Sequence, residues 1–232
     1  METSGKSPAE IAAWFGPDGP QSAQGAMALA SAWRSLGRQA DAANLIRTWW
    51  TTKSFEADVQ RTMLARFSDM LGADDHVRRA DLLLYGAQGP AAREMITLLP
   101  ADRQAAALAR ISLRGDSEAG YASLTPADQA SPGVAFERGG MLRRKGRTQD
   151  AIAEFAKASA PALTAEHADR AWNERYRLTL AAIKDGDWRA AYQASANTGL
   201  NQGADATEAE FYAGWIALNR LKDPVAAGRH FA

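Results

Sequence analysis

The sequence predicts an all-α fold, a right-handed α/α superhelix of tandem helical hairpins (TPR-like) with no β-sheet. Three observations predict it. Alanine is by far the commonest residue and valine occurs only at Val59, Val77, Val134 and Val225; apolar residues recur at three- and four-residue spacing; and one short turn motif repeats. Alanine loses no side-chain entropy on entering a helix, whereas β-branched residues do. Seven tryptophans, at positions 14, 33, 49, 50, 172, 188 and 215, supply bulk that alanine cannot. Closely approaching helices with rings filling the gaps are the expected result.

The elements follow in order. Residues 1–20 carry Gly5, Pro8, Gly16, Pro17, Gly19 and Pro20 and read as a flexible N-terminal arm, leaving 21–232 as one α-superhelical domain. Leu29, Trp33 and Leu36 share a helix face that Gly37-Arg38 ends, and Ala42, Leu45, Ile46 and Trp49 resume the period. Ser54 is placed to cap a helix bearing Val59, Met63, Phe67 and Met70, and Asp74 to cap one whose run Leu82-Leu83-Leu84-Tyr85 stops at Gly86. Pro90 suits a first helical position before Met95, Ile96 and Leu99, and Pro100 stops that helix. Leu108, Ile111 and Leu113 mark the next. A short helix is expected around Tyr121 and another over Phe136 to Leu142. Trp172, Tyr176, Leu180 and Ile183 form one stripe, and Phe211, Trp215 and Leu218 another. No segment alternates with a period of two, so no sheet is expected.

The repeat lies at the hairpin turns. Gly37-Arg38-Gln39-Ala40-Asp41-Ala42 resembles Gly146-Arg147-Thr148-Gln149-Asp150-Ala151 and Gly186-Asp187-Trp188-Arg189-Ala190-Ala191. Lys222-Asp223-Pro224-Val225-Ala226-Ala227 is a looser fourth copy. A turn ends one helix and a small residue opens the next, as where helix pairs hide their apolar faces on their neighbours.

Charge and composition exclude several functions. Twenty-seven basic residues balance twenty-seven acidic ones, so the excess of a general nucleic-acid binder is missing. The most basic stretch, Arg143-Arg144-Lys145-Gly146-Arg147, falls at a helix C-terminus, where cations suit the helix dipole. Without cysteine there is no disulfide, thiol catalysis or Cys-based zinc site. No run approaches the ~18 apolar residues of a membrane span, and the first eight residues hold no export-signal core.

No residue constellation announces catalysis, a cofactor or a metal. Asp74-Asp75-His76 with Arg78, Arg79 and Asp81 lacks a second ligand one turn on and reads as capping and ion pairing. His167, at a helix start, and His230 stand apart. Glu208 and Glu210, two residues apart on a helix, point in different directions and cannot flank one glycosidic bond. Glu174 reads as ion-paired. Gly139-Gly140 reads as a close-packing point, because no phosphate-binding loop is present. Trp172 and Trp215 read as core; Trp14, Trp49 and Trp50 are freer to face a ligand.

Five segments together resemble the long helical region of soluble lytic murein transglycosylases, especially the alphaproteobacterial type. They are Asp75-His76-Val77-Arg78-Arg79-Ala80-Asp81-Leu82-Leu83, Pro132-Gly133-Val134-Ala135-Phe136-Glu137-Arg138, Trp172-Asn173-Glu174-Arg175, the run from Ala206 through Glu210-Phe211-Tyr212-Ala213-Gly214-Trp215-Ile216-Ala217 to Leu218, and Asp223-Pro224 through His230-Phe231. The resemblance implies a ring or superhelix of α-hairpins in the periplasm. It also implies a separate lysozyme-like domain that cleaves the MurNAc–GlcNAc link with closure of a 1,6-anhydro ring. That domain's catalytic glutamate lies in a Glu-Ser pair, and no such pair occurs here, so no catalytic residue carries over. The expectation is a non-catalytic portion, without its C-terminal catalytic domain, that binds peptidoglycan glycan strands or positions that domain. The alternative is a free-standing TPR-like adaptor that binds a peptide or protein partner.

Overall fold

The computed structural model describes residues 5–158, 168–200 and 202–232. The protein is all-helical: 73% of the chain is helix and no strand occurs among the described residues. It divides into two compact units, residues 1–104 and 105–232, where the sequence reading has a single domain after residue 20.

In the first unit, α1 (Pro8–Trp14), α2 (Ala23–Ser35), α3 (Gln39–Thr52), α4 (Ala57–Phe67), α5 (Ala73–Tyr85) and α6 (Pro90–Met95) precede the start of α7 (Ala101–Arg114). Helix α1 lies inside the stretch read as a loose arm. Ser7 and Glu10 close a capping box on it, and it packs on α2. The cap of α4 is Glu56, not Ser54, and that of α5 is Gly72, whose backbone N–H donates to Asp75 at 2.9 Å; Asp74 lies inside the helix. Helix α4 stops at Phe67, and a single 3₁₀ turn, Ser68–Met70, carries Met70 into the core beside Met63 and Phe67. Trp50 and Ile46 of α3 are fully buried.

Arg79 of α5 is fully buried beside them. It donates through one terminal nitrogen to the carbonyls of Trp50 (3.0 Å) and Lys53 (2.7 Å) at the end of α3, and through Nε to Gln60 Oε1 (2.8 Å). Its guanidinium also lies over the Phe55 ring, 3.9 Å from the centroid. A cation is thus spent on closing a helix C-terminus inside the core.

The second unit holds the rest of α7, α8 (Pro126–Gln129), α9 (Pro132–Arg144), α10 (Thr148–Lys157), α11 (Ala168–Lys184), α12 (Trp188–Ser195), α13 (Ala204–Asn219) and α14 (Pro224–Phe231). Around Tyr121 the chain forms turns, not the expected helix; Gly120, in the left-handed region at φ +79°, and the turn-forming Ser123 break the period there. Helices α9/α10, α11/α12 and α13/α14 form three hairpins, each packed on the next.

The repeated turns share one geometry. Gly37, Gly146 and Gly186 take φ of +77°, +73° and +73°, which glycine adopts without strain. In each, the following N–H reaches back five residues: Arg38 to Trp33 O at 2.8 Å, Arg147 to Leu142 O at 2.9 Å, Asp187 to Ala182 O at 2.9 Å. These are Schellman closures. The next helix then starts in one of two ways. Arg38 and Arg147 each reach an aspartate three residues on, Asp41 and Asp150, at 2.7 Å. Asp187 and Asp223 instead accept the N–H of Ala190 and Ala226, at 3.0 and 2.8 Å. Ala42, Ala151, Ala191 and Ala227 close the motif and are all buried.

Glycines make room where helices meet. A methyl group at Gly139 would lie 2.9 Å from the Phe155 ring, one at Gly214 2.5 Å from that of Phe231, and one at Gly133 2.5 Å from the Arg110 guanidinium. Gly139 is therefore the close-packing point the sequence indicates, between α9 and α10.

Candidate functional site

Two surfaces of the second unit present chemistry. The first is a groove of about 450 Å³ between α10 and α12. Ile152, Ala153, Ala156 and Ala196 give it apolar walls, and Gln149, Gln193, Asn197, Tyr192 and Arg175 supply polar groups. Arg175 of α11 reaches it from below. Its terminal nitrogens donate to Ala194 O and Ala196 O, both at 3.2 Å, and to Phe155 O at 3.0 Å, closing α12 and α10 as Arg79 closes α3.

The second is an aromatic face along α11 and α13. Trp172, Tyr176 and Tyr212 form a cluster with centroid separations of 5.7, 5.6 and 6.4 Å, and Phe211 joins at 6.1 Å from Tyr212. One turn along α13, Trp215 meets Trp188 at 6.4 Å, and Arg220 lies over both rings, 4.3 Å from Trp188 and 5.4 Å from Trp215. Trp172 Nε1 donates to Glu208 at 2.6 Å. The hydrogen bond to Tyr176, then burial, then the charges of Tyr176 and Glu208 push the Tyr212 phenol up to about 12, so it stays a neutral hydroxyl. Phe211 is 56% exposed and Trp215 36%. The stripe Phe211, Trp215 and Leu218 is thus the outer face of α13; the buried face is Ala206, Ala209, Ala213, Ile216 and Ala217. Only the small residues permit the approach of α12 and α14, which turns the large ones outward.

The other sequence candidates serve packing. Asp75 completes the α5 cap and lies 3.6 Å from Arg47, while Asp74, Arg78 and Asp81 are exposed. His76 sets its ring edge against Trp50 at 5.7 Å; burial depresses its pKa more than Asp75 raises it, so the ring stays neutral. His167 lies outside the described residues. Glu174 is ion-paired, but to Arg143 of α9 at 2.5 Å rather than to its neighbour Arg175. Within the basic stretch, Arg144 binds Asp116 and Arg147 binds Asp150. Glu208 and Glu210 engage different partners on different helices. Trp172 is buried as expected, Trp14 is exposed and Trp49 half-buried, but Trp50 is core and not free to face a ligand, and Trp215 lies on the outer face of α13 and not in the core. Among the described residues, no three His, Asp or Glu side chains gather as metal ligands, and no helix is long and apolar enough to cross a membrane.

Two buried carboxylates, Glu137 and Glu154, escape single-residue reading, whereas Glu174 is ion-paired as the sequence indicates. Glu137, 1% exposed, is gripped by Arg114 (2.6 and 2.7 Å) and Arg170 (3.0 and 3.1 Å). Burial alone would raise its pKa, but the two guanidinium groups together outweigh it and hold the carboxyl below its ordinary value. Glu154 is held by Arg138 and Lys157, and Glu174 by Arg143. Such grips make these carboxylates cross-braces, and the lowered pKa of Glu137 keeps it without a proton to donate. A further chain runs from Tyr192 to His230 Nε2 (3.0 Å) and from His230 Nδ1 to Glu210 (2.5 Å), joining α12, α14 and α13. The separations of 20 and 38 residues hide this chain from any local pattern.

No family model, curated protein or solved structure matches this chain.

Proposed function

We propose that this chain is a non-catalytic helical-hairpin portion of a periplasmic lytic transglycosylase, and that it holds peptidoglycan glycan strands on the aromatic face of α11 and α13. The aromatic face is the observation that carries the reading. Sugar rings present flat C–H surfaces that stack on exposed aromatic rings, and their hydroxyls seek donors and acceptors at the ring edges. Tyr176, Tyr212, Phe211, Trp215 and Trp188 offer the rings, and the Tyr212 hydroxyl, Glu208 and Arg220 the polar edges. The three successive hairpins, with turns at Gly146, Gly186 and Lys222, support a superhelical stack that repeats along this face. The Arg–Glu grips support a scaffold role over a catalytic one.

Co-sedimentation with insoluble peptidoglycan tests it. Wild-type protein pellets, Trp215→Ala lowers the apparent affinity about ten-fold, and no anhydro-muropeptides are released. Pelleting that is absent, or unchanged by Trp215→Ala, would overturn the glycan role, and anhydro-muropeptide release would overturn the non-catalytic one.

The adaptor alternative draws on the other surface. A groove with amide side chains at its rim suits a peptide better than a sugar.

A further inference from the structure

We infer that the groove between α10 and α12 binds an extended peptide by its carboxylate, with Arg175 as the receiving cation. This does not rest on the glycan reading, which concerns a different set of side chains.

Arg175 differs from the arginines of its unit that grip carboxylates. Arg114 and Arg170 meet Glu137, Arg138 meets Glu154, and Arg143 meets Glu174. Arg175 is 6% exposed, and its partners among the described residues are three backbone carbonyls. A guanidinium carries five N–H donors, so donors remain after those three bonds. Arg79, which performs the same closure in the first unit, fills its Nε edge with the amide oxygen of Gln60. The Nε edge of Arg175 has no such partner among the described residues, and the side chain lines the groove. The missing group is an acceptor oxygen.

The identity of the acceptor follows from the charge. Burial lowers the Arg175 pKa to about 10, which still leaves it cationic at neutral pH. The carbonyl ends of α10 and α12 offset part of this charge, as helix C-termini do. A carboxylate completes the match with a charge-assisted bond that a neutral carbonyl cannot equal. Among the described residues, no acidic side chain lines the groove. Asp187, close by, is already engaged by the Ala190 N–H and by Gln149 at 2.6 Å. The amides of Gln193 and Asn197 are exposed and have no hydrogen-bond partner among the described residues, so they are free to pair with peptide groups. The alanine-rich walls accept small side chains, and the volume falls in the range of small-ligand sites.

The test is an NMR titration of ¹⁵N-labelled protein with tri-alanine and, separately, with tri-alanine amide. The free acid shifts the Arg175 Nε–H and Gln193 side-chain signals, and the amide binds at least ten-fold more weakly. Arg175→Met removes closures of two helices and risks unfolding, so the informative variant is Gln193→Glu. It places a like charge at the rim of a folded protein and weakens the acid at least ten-fold, while Trp215→Ala leaves it unchanged. Equal affinity for acid and amide, no binding of either at tens of millimolar, or shifts confined to the aromatic face each overturn the inference. Peptidoglycan pelleting of Gln193→Glu stays at the wild-type level, so the two readings fail separately.

Discussion

The two units solve one problem, the burial of charge, in different ways. The first closes its core around the Arg79 cation, which engages carbonyls, an amide and aromatic rings. The second uses the same closure at Arg175 and adds buried carboxylates, Glu137 and Glu154, each gripped by more than one cation. The difference follows from regularity. Three hairpins in series place the first helix of one against the first helix of the next, so the same faces meet repeatedly and ion pairs can bridge them, as Arg143 to Glu174 does between α9 and α11. In the first unit only α2/α3 is such a hairpin. The segments after it are short and interrupted by the 3₁₀ turns Ser68–Met70 and Ile96–Leu98, and large side chains fill the uneven gaps.

The largest expected effect breaks the second unit alone. Glu137→Gln removes the buried charge that Arg114 and Arg170 grip. Breaking such a pair costs about 3 kcal/mol or more. Urea denaturation followed separately in the two units, by hydrogen exchange, shows the loss confined to residues 105–232. A uniform loss across both units, or none, would refute the contrast.

Acid separates the units more finely. Glu137 has its folded pKa lowered from 4.5, so its contribution is present above about 4.5 and is lost as pH falls through the folded value. His76 has its folded pKa lowered from 6.5. The unfolded chain therefore takes up a proton that the folded one refuses, and stability declines as pH falls below about 6.5. The first unit weakens as pH falls below about 6.5, while the second holds until below about 4.5. His76→Phe flattens the upper slope and Glu137→Gln the lower one. Amide exchange measured unit by unit across pH 4 to 7 checks both, and a common midpoint for the two units would defeat the idea.

The same contrast shows what was legible in the sequence. Helix content and the turn motif were readable because they are local: a glycine that can take a positive φ and an alanine small enough to be buried sit within six residues. Gly139 was readable because glycine inside a helical period has few other uses. The face of α13 was not, because Phe211, Trp215 and Leu218 share a period with Ala206, Ala209, Ala213, Ile216 and Ala217, and only the approach of α12 and α14 decides which set goes inward. Nor was the role of Arg79 or Arg175. A basic residue one turn after acids looks like an ordinary surface pair, and the carbonyls it binds lie 19 to 29 residues away. The groove and the Tyr192–His230–Glu210 chain depend on such distant pairs as well.

The smallest expected effect tests whether the fourth turn belongs to the repeat. Lys222 stands where the other copies have glycine, and it takes φ +58°, a left-handed conformation that costs a residue with a Cβ about 1–2 kcal/mol. Lys222→Gly removes that cost but gives the unfolded chain more freedom, which takes back about 0.4–1 kcal/mol. The net gain is therefore about 0.5 kcal/mol, seen as a rise in the urea midpoint with an unchanged slope. Gly146→Ala and Gly186→Ala run the other way and lower it, because there the native φ already needs glycine. Should Lys222→Gly destabilise the protein, the side chain itself must hold the turn. Its closure already differs from the others, with Asp223 N–H reaching Ala217 O six residues back at 2.9 Å. In that case the fourth copy would be a distinct terminal turn, and the regular series in the second unit would comprise two closures instead of three.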